Sequence, residues 1–518
     1  MTDAGPAIDA FDIARQRWNP FRGWPRRRVV EFWVRILLVG VSTGLAVKVV
    51  QPSLLVRDST PTGGDMGAHV WAPAYLRDHL LPFRLNGWSM DWYSGFPIYR
   101  FYMVVPALMI VALDVLLPYG VAFKMVAVLG IVTLPLCCWA FGRLARFRYP
   151  LPELFAVVGL VYLLDESYTI YGGNVASTMA GEYSFSISLS FAMLAFGFFA
   201  NGLQTGRHRL KAAIFMALAI LCHGIVAIYV VVGIGLMGLL WLDRRRLRWF
   251  AGTAGLGVLL SAFWVVPFLL NHAYMTDMKY KGEPGNGSFS SYWGMFFALP
   301  PFWNVFFLTF AVVGFVAVLV RRHTAGVWVG LMGLVFASFV YLFNDSLPVI
   351  GLLWNPRLLP MLNMCRYLLA AVGIVEFVHA GVRLAQYERL SRRINPIRVD
   401  DDPRSERAFF TARTATAIGA FVVALVCLGF RFQVLPMGNV LTKGNESMYS
   451  WGPFHTKAGN KGFVDGWARW NFSGYQGRAA YGEYYGVVQT MKRLGEDRGC
   501  GRALWENYSG NDKYGTTM

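Results

Sequence analysis

The chain has 518 residues, of which 55% are hydrophobic and only 15% charged. A soluble globular domain carries about 25% charged residues, so the composition excludes an ordinary soluble protein and indicates a polytopic membrane protein. The net charge of +18 does not indicate a nucleic-acid partner, because the basic residues fall in short clusters between apolar runs and not on one soluble face.

Residues 1–31 are polar and arginine-rich and read as a cytoplasmic N-terminal segment. The apolar run from Phe32 to Val50 is longer than a signal-peptide core and lacks a small-residue cleavage site, so it is predicted to be a retained first span. A loop of about 52–101 follows, carrying "STPTGGDMGAHV" (Ser59–Val70) and "NGWSMDWYSGFPIYRFY" (Asn86–Tyr102). Further spans of ~20 residues are predicted at about 120–142, 151–165, 183–203, 208–224, 225–242, 249–270, 302–320, 325–343, 361–382 and 413–431. With about 11 spans, the basic clusters at Arg143–Arg148, Arg207–Lys211, Arg244–Arg248, Arg321–Arg322 and Arg383–Arg413 share one side, which the positive-inside rule makes the cytoplasm. The segment 102–118 is apolar enough to span, but counting it would put every later basic cluster outside. It is therefore predicted to be a juxtamembrane or re-entrant helix.

The predicted fold class is thus an all-α polytopic membrane protein. Residues 32–432 form the transmembrane domain, with a large first extracytoplasmic loop. Residues 433–518 form an extracytoplasmic C-terminal region, mixed α/β and expected to be incomplete. The outer side collects the loops at about 52–101, 166–182, 271–300 and 344–360 together with that region. The abundant aromatics suit interfacial belts, and some suit a cavity facing sugar or lipid. Five of the six cysteines lie in or beside apolar runs, and none has metal-site spacing, so neither a disulfide framework nor a zinc site is supported.

Three groups of residues carry candidate chemistry. The first loop holds Asp65, His69, Asp78, His79, Asp91 and Arg100. A carboxylate at a membrane surface can act as a general base where water access is restricted. The alternative is a solvated turn built on Gly63-Gly64-Asp65. Glu182 stands before a helix on the same side, as a functional acid or as a simple complement to the helix dipole. His223 and Arg366 lie within or between spans, where ionisable groups usually mark a polar cavity. With Arg357 and His272 in nearby outer loops, such a cation can hold a lipid phosphate or snorkel to the interface. There is no Walker loop, GxGxxG turn, HExxH or GxSxG.

With these loops placed, the chain resembles the GT-C superfamily of integral-membrane glycosyltransferases. The points of likeness are the cytoplasmic N-terminus, the single helix, the acid-bearing loop with Asp65 and the apolar 102–118 segment. Within that group it is most similar to the actinobacterial 6-pyruvoyl-tetrahydropterin-synthase-related membrane proteins. The strings that carry this are "GWSMDWYSGFPIYRFYMVVPAL", "GEYSFSISLSFAML", "LCHG", "DGWARWNFSGYQG" and "GRALWENYSGNDKYGT". Nothing in the residues points to pterin chemistry.

The resemblance implies inverting transfer of a sugar from a polyprenyl-phosphate donor to an extracytoplasmic cell-envelope glycan or lipoglycan, at the plasma membrane. It makes Asp65 the catalytic base and Arg357 or Arg366 holders of the departing phosphate. His69, Asp91, Arg100, Glu182 and His223 become substrate-binding candidates. It implies no cofactor, although Asp65, His69 and Glu182 leave a divalent metal open. No second acid stands immediately beside Asp65, unlike some members of the class. The other reading of the chain is a non-catalytic flippase or scaffold for lipid-linked sugars. A transporter is expected to carry inverted repeats with broken helices, and no such symmetry is visible.

Overall fold

A computed structural model describes residues 23–92, 94–168, 170–241, 243–276, 296–297, 299–343, 353–391, 403–443, 446–459, 463–503 and 509–514. Most of the loops expected at 271–300 and 344–360 lies outside the described residues. So do most of the N-terminal segment and part of the basic run after Arg383.

Each of the eleven predicted spans is a helix. They are α1 (Arg26–Val49), α4 (Tyr119–Leu144), α5 (Leu151–Leu163), α7 (Tyr183–Thr205), α8 (Arg209–Cys222), α9 (Gly224–Leu240), α10 (Arg244–Leu270), α11 (Pro301–Val320), α12 (Thr324–Tyr341), α13 (Leu359–Ser391) and α14 (Pro403–Val426). Between α1 and α4 lie α2 (Met66–Tyr75) and α3 (Val105–Asp114), and α6 (Val175–Met179) precedes α7. Among the described residues eight helices are long and apolar enough to cross a membrane. The 10-residue α3 is only ~15 Å long, about half a hydrocarbon core.

Three of the predicted spans, α5, α8 and α9, have 13, 14 and 17 residues. They reach ~20–25 Å against ~30 Å of hydrocarbon. The sequence explains where they stop. α5 runs into the polar stretch from Asp165 to Asn174, where the Asn174 carboxamide caps α6 by accepting from Ser177 N at 2.8 Å. α8 and α9 part at His223, whose backbone is extended (φ −160°, ψ 128°). Short helices bring polar loops below the ends of their longer neighbours.

The bundle has two chemically distinct ends. At one, Arg27 pairs with Glu406 (2.7 Å), Arg35 with the buried Glu153 (3.1 Å) and Arg321 with Glu376 (2.6 Å). The Tyr149 hydroxyl meets Thr414 there at 3.1 Å. The opposite end gathers the first loop, the 165–182 stretch, His223, Arg357 and the C-terminal region. That region is a three-stranded antiparallel sheet, β1 (Asn439–Lys443), β2 (Glu446–Trp451) and β3 (Phe454–Lys457), followed by α15 (Phe463–Ser473) and α16 (Tyr481–Arg498). α15 packs against α6 and α1, so the region is fastened to the bundle.

Candidate active site

The loop before α2 is tied down from three directions. Lys124, fully buried on α4, donates to Leu54 O (2.7 Å), Arg57 O (2.5 Å) and Ser59 Oγ (2.9 Å). Ser59 Oγ donates to Phe472 O at 2.8 Å, and Thr62 N donates to Asn471 O at 3.1 Å. Asn471 Nδ2 reaches on to Met179 O at 2.5 Å, and Asp65 N donates to Ala180 O at 2.8 Å. Three chain segments distant in sequence therefore meet beneath Asp65. The two glycines are required by this meeting. Gly63 (φ +104°) lies against Asn471 and Trp470, and Gly64 (φ +52°) against the Ala180 backbone. A Cβ at either would overlap those atoms, and the dihedrals are ones L-residues rarely adopt.

Asp65 thus immediately precedes α2 in a fixed backbone. Its carboxylate makes no capping bond and is solvent-accessible. His69 follows one turn on, its N–H donating to Asp65 O at 3.1 Å. The imidazole stands between Tyr102 (Nε2 to hydroxyl 3.4 Å, ring centroids 5.3 Å) and the edge of Tyr183 (5.6 Å). Partial desolvation on the side facing the protein pushes the Asp65 carboxyl above its ordinary range, and Glu182 adds to this, while His69 and Arg357 oppose it. Burial pushes His69 the other way, below its ordinary value, against the pull of Asp65 and Glu182.

Glu182, at the start of α7, is nearly buried and bridges two helices. One oxygen accepts from Arg357 Nη1, and the other faces His223 Nε2 at 3.5 Å. Burial disfavours its charge, but His223 and Arg357 outweigh that and hold the carboxyl well below the usual range. Arg357 is itself placed by Tyr229, whose hydroxyl donates to Arg357 O at 2.7 Å. His223 Nδ1 is buried and has no hydrogen-bond partner among the described residues. The helix break at 223 thus turns one ring nitrogen to Glu182 and leaves the other available.

Arg366 does not belong to this cluster. It is buried on α13, donating to Phe296 O at 2.9 Å and stacking on Phe296 and Tyr367 (5.1 and 5.2 Å). Tyr367 donates in turn to Asp165 Oδ2 at 2.6 Å. A cavity of about 670 Å³ opens beside this group, between α5, α11, α13 and α14. Its walls are apolar and its polar end is Asp165 to Ser167.

The remaining predicted residues are dispersed. Asp91 is exposed, and Arg100 lines a separate polar pocket. Asp78 pairs with Arg77 at 2.6 Å, His79 stacks on Tyr75 (4.6 Å), and His272 Nδ1 meets Leu269 O at 2.7 Å. Among the described residues no group of three or more His, Cys, Asp or Glu side chains is arranged to hold a metal ion. Both Glu182 oxygens are already engaged by Arg357 and His223, so Asp65, His69 and Glu182 do not form a metal cradle. Sequence reading passed over Tyr102, Tyr183, Lys124 and Asn471. Tyr102, Tyr183 and Asn471 lie inside the strings "GWSMDWYSGFPIYRFYMVVPAL", "GEYSFSISLSFAML" and "DGWARWNFSGYQG", whereas Lys124 lies in none of them.

Fold and site together define a polytopic α-helical membrane protein with an accessible carboxylate above a buried, charge-compensated cluster. The chain belongs to the 6-pyruvoyl-tetrahydropterin synthase related domain family of membrane proteins, whose model matches residues 99–386. That span includes Glu182, His223, Arg357 and Arg366, whereas Asp65 and His69 precede it. Among solved structures, the crystal structure of ArnT from Cupriavidus metallidurans in the apo state is similar at 13% identity, covering 76% of each chain with a TM-score of 0.40. A likeness that distant carries no functional argument. No curated protein matches the chain by sequence.

Proposed function

We propose that the protein is an inverting glycosyltransferase of the GT-C type. It moves a sugar from a polyprenyl-phosphate donor to an extracytoplasmic cell-envelope glycan or lipoglycan, with its N-terminus in the cytoplasm. The observation that carries this reading is the isolation of Asp65. It is the acid of the cluster left without a hydrogen-bond partner for its carboxylate among the described residues, while Glu182 beside it is neutralised by Arg357 and His223.

In the step proposed, Asp65 takes the proton of an acceptor hydroxyl as that oxygen attacks the anomeric carbon. The bond from that carbon to the phosphate oxygen breaks on the opposite face. Polyprenyl phosphate leaves with the electron pair, and the configuration inverts. A raised carboxyl pKa makes Asp65 the stronger base for this task. The free nitrogen of His223 and the Arg357 guanidinium are the groups suited to the phosphate. The apolar cavity offers a place for the isoprenoid chain. Tyr171, in the loop that begins at its polar end, packs edge-on to Trp354, close to Arg357 in sequence.

The test is a purified-protein assay with labelled polyprenyl-phosphate sugars and an envelope glycan acceptor. Transfer with inversion that depends on Asp65 is the expected result. Transfer by none of the donors, or transfer insensitive to Asp65→Asn, overturns the reading.

A further inference from the structure

The first loop contains a second concave site, at the far end of the helix that begins at Asp65. α2 continues through a wider turn to Leu80, so some fifteen residues, or ~20 Å, separate the carboxylate from it. Beyond Leu80 the chain folds back on itself. Ser89 and Phe96 exchange both backbone hydrogen bonds at 2.8 Å, and Gly87 N donates to Ile98 O at 3.2 Å. The Trp88 ring rests on Gly95, where any side chain would overlap it. This frame encloses a pocket of about 530 Å³ lined by Arg84, Asn86, Gly87, Trp88, Pro97 and Arg100, with Leu85.

Two arginines and no acidic residue line the pocket. Neither Arg84 nor Arg100 forms an ion pair or a side-chain hydrogen bond with any described residue. The acids nearby in sequence are engaged elsewhere or do not line it: Asp78 is held by Arg77, and Asp91 is not a wall residue. Two like charges in one concavity repel each other unless an anion joins them. Arginine presents a planar fork that matches the paired oxygens of a phosphate, and the Asn86 amide adds a further donor.

The rim says where that phosphate comes from. Trp88, a wall of the pocket, is 63% exposed, Met90 (53%) lies against it with Sδ 3.2 Å from Trp88 Nε1, and Phe83 (91%) directly precedes Arg84 in the chain. Large apolar side chains grouped beside a basic pocket mark contact with a bilayer surface more than with free solute.

We propose that Arg84 and Arg100 form a binding site for the phosphodiester of an anionic lipid headgroup, with Phe83, Trp88 and Met90 set among the adjoining acyl chains. The site anchors the far end of the helix whose near end carries Asp65. The inference does not rest on the transfer reading, since its residues are separate and its test reads binding alone.

The full-length protein, with Cys500→Ser and a Met90→Cys label at the rim, is reconstituted in phosphatidylcholine nanodiscs. Short-chain phosphatidylglycerol is titrated in one arm and glycerol phosphate in the other. The label should respond saturably to phosphatidylglycerol, with glycerol phosphate at least ~10-fold weaker, because it lacks the apolar contacts. Arg84→Gln with Arg100→Gln should cost at least ~10-fold in lipid affinity. Arg84→Lys with Arg100→Lys, which keeps the charge, should restore part of it and reports that the loop still folds. No saturable response, or equal affinity in the Gln and parent proteins, overturns the site. Glycerol phosphate binding as tightly as the lipid overturns the membrane assignment.

Discussion

Two groups at the same end of the bundle bury an arginine near an acid, and they differ in what they leave over. Around α13, Asp165 is satisfied on both oxygens, by Ser167 N (3.0 Å) and the Tyr367 hydroxyl (2.6 Å). Arg366 beside it is held by a carbonyl and two rings. Around α7, Glu182 is held as completely by Arg357 and His223, but Asp65 and His223 Nδ1 stay uncommitted. The first arrangement satisfies both carboxylate oxygens and leaves over only a donor, the buried Arg366 Nε, with no acid free to take a proton. The second has a proton acceptor facing solvent and a buried nitrogen without a partner, which is what a reacting substrate requires.

The sharpest way to break the contrast is to remove each arginine. Arg357→Met leaves the Glu182 carboxylate buried beside only a histidine, and stranding one partner of a buried pair costs about 3–5 kcal/mol. Arg366→Met strands no carboxylate and removes hydrogen bonds worth about 1–3 kcal/mol. Thermal unfolding in detergent should therefore show the larger loss for Arg357→Met, with part of it recovered in Arg357→Met/Glu182→Gln. Equal losses, or no recovery in the double variant, would mean that Glu182 is not carried by Arg357.

The acids give the next contrast. Asp65→Asn keeps the shape and cannot accept a proton, so transfer should fall by at least ~10²-fold, with donor binding and melting temperature near the parent's. Asp165→Asn should do the reverse, lowering the melting temperature and leaving transfer within ~10-fold. Near-parental transfer by Asp65→Asn in the purified assay removes it as base and makes Glu182 or Asp91 the residue to test.

A smaller effect is expected from the support beneath the loop. Asn471→Ala deletes the bond to Met179 O while leaving the helix intact. Loss of one buried hydrogen bond should loosen Asp65 and lower the rate of transfer by ~5–10-fold at unchanged donor affinity. If KM for the donor rises instead and the maximal rate holds, the C-terminal region acts in binding and does not position the carboxylate.

The helices were legible because the spans are apolar runs with basic clusters at alternate boundaries, and parity alone kept α3 from being counted among them. The nearness of His69 to Asp65 was legible too, since four residues on a helix is one turn. The union of Arg357 with Glu182 and His223 was not, because it joins three segments through tertiary packing, and nothing in the sequence says whether Arg357 or Arg366 meets them. Asn471 was hidden for a different reason. It makes its contacts mainly through backbone and amide groups that any polar loop residue offers, so only the folded chain shows that "NFSG" lies under "TGGD".

The smallest effect concerns the electrostatics of Asp65 itself. As a base it works only when ionised, so transfer is present above its pKa and lost as the pH falls through it. Burial raises that pKa, so the acid limb of kcat/KM should lie above the ordinary carboxylate range. His69 is the first of the groups that lower it. His69→Gln removes that pull and should move the limb to higher pH by a fraction of a unit, a difference well under 1.4 kcal/mol. Tyr102→Phe touches His69 without changing the charge near Asp65, and should leave the limb where it is. The measurement is a pH profile of kcat/KM for the three proteins under identical lipid and salt. A limb that stays fixed or moves to lower pH in His69→Gln would show that the titrating base is not the carboxylate beside this imidazole.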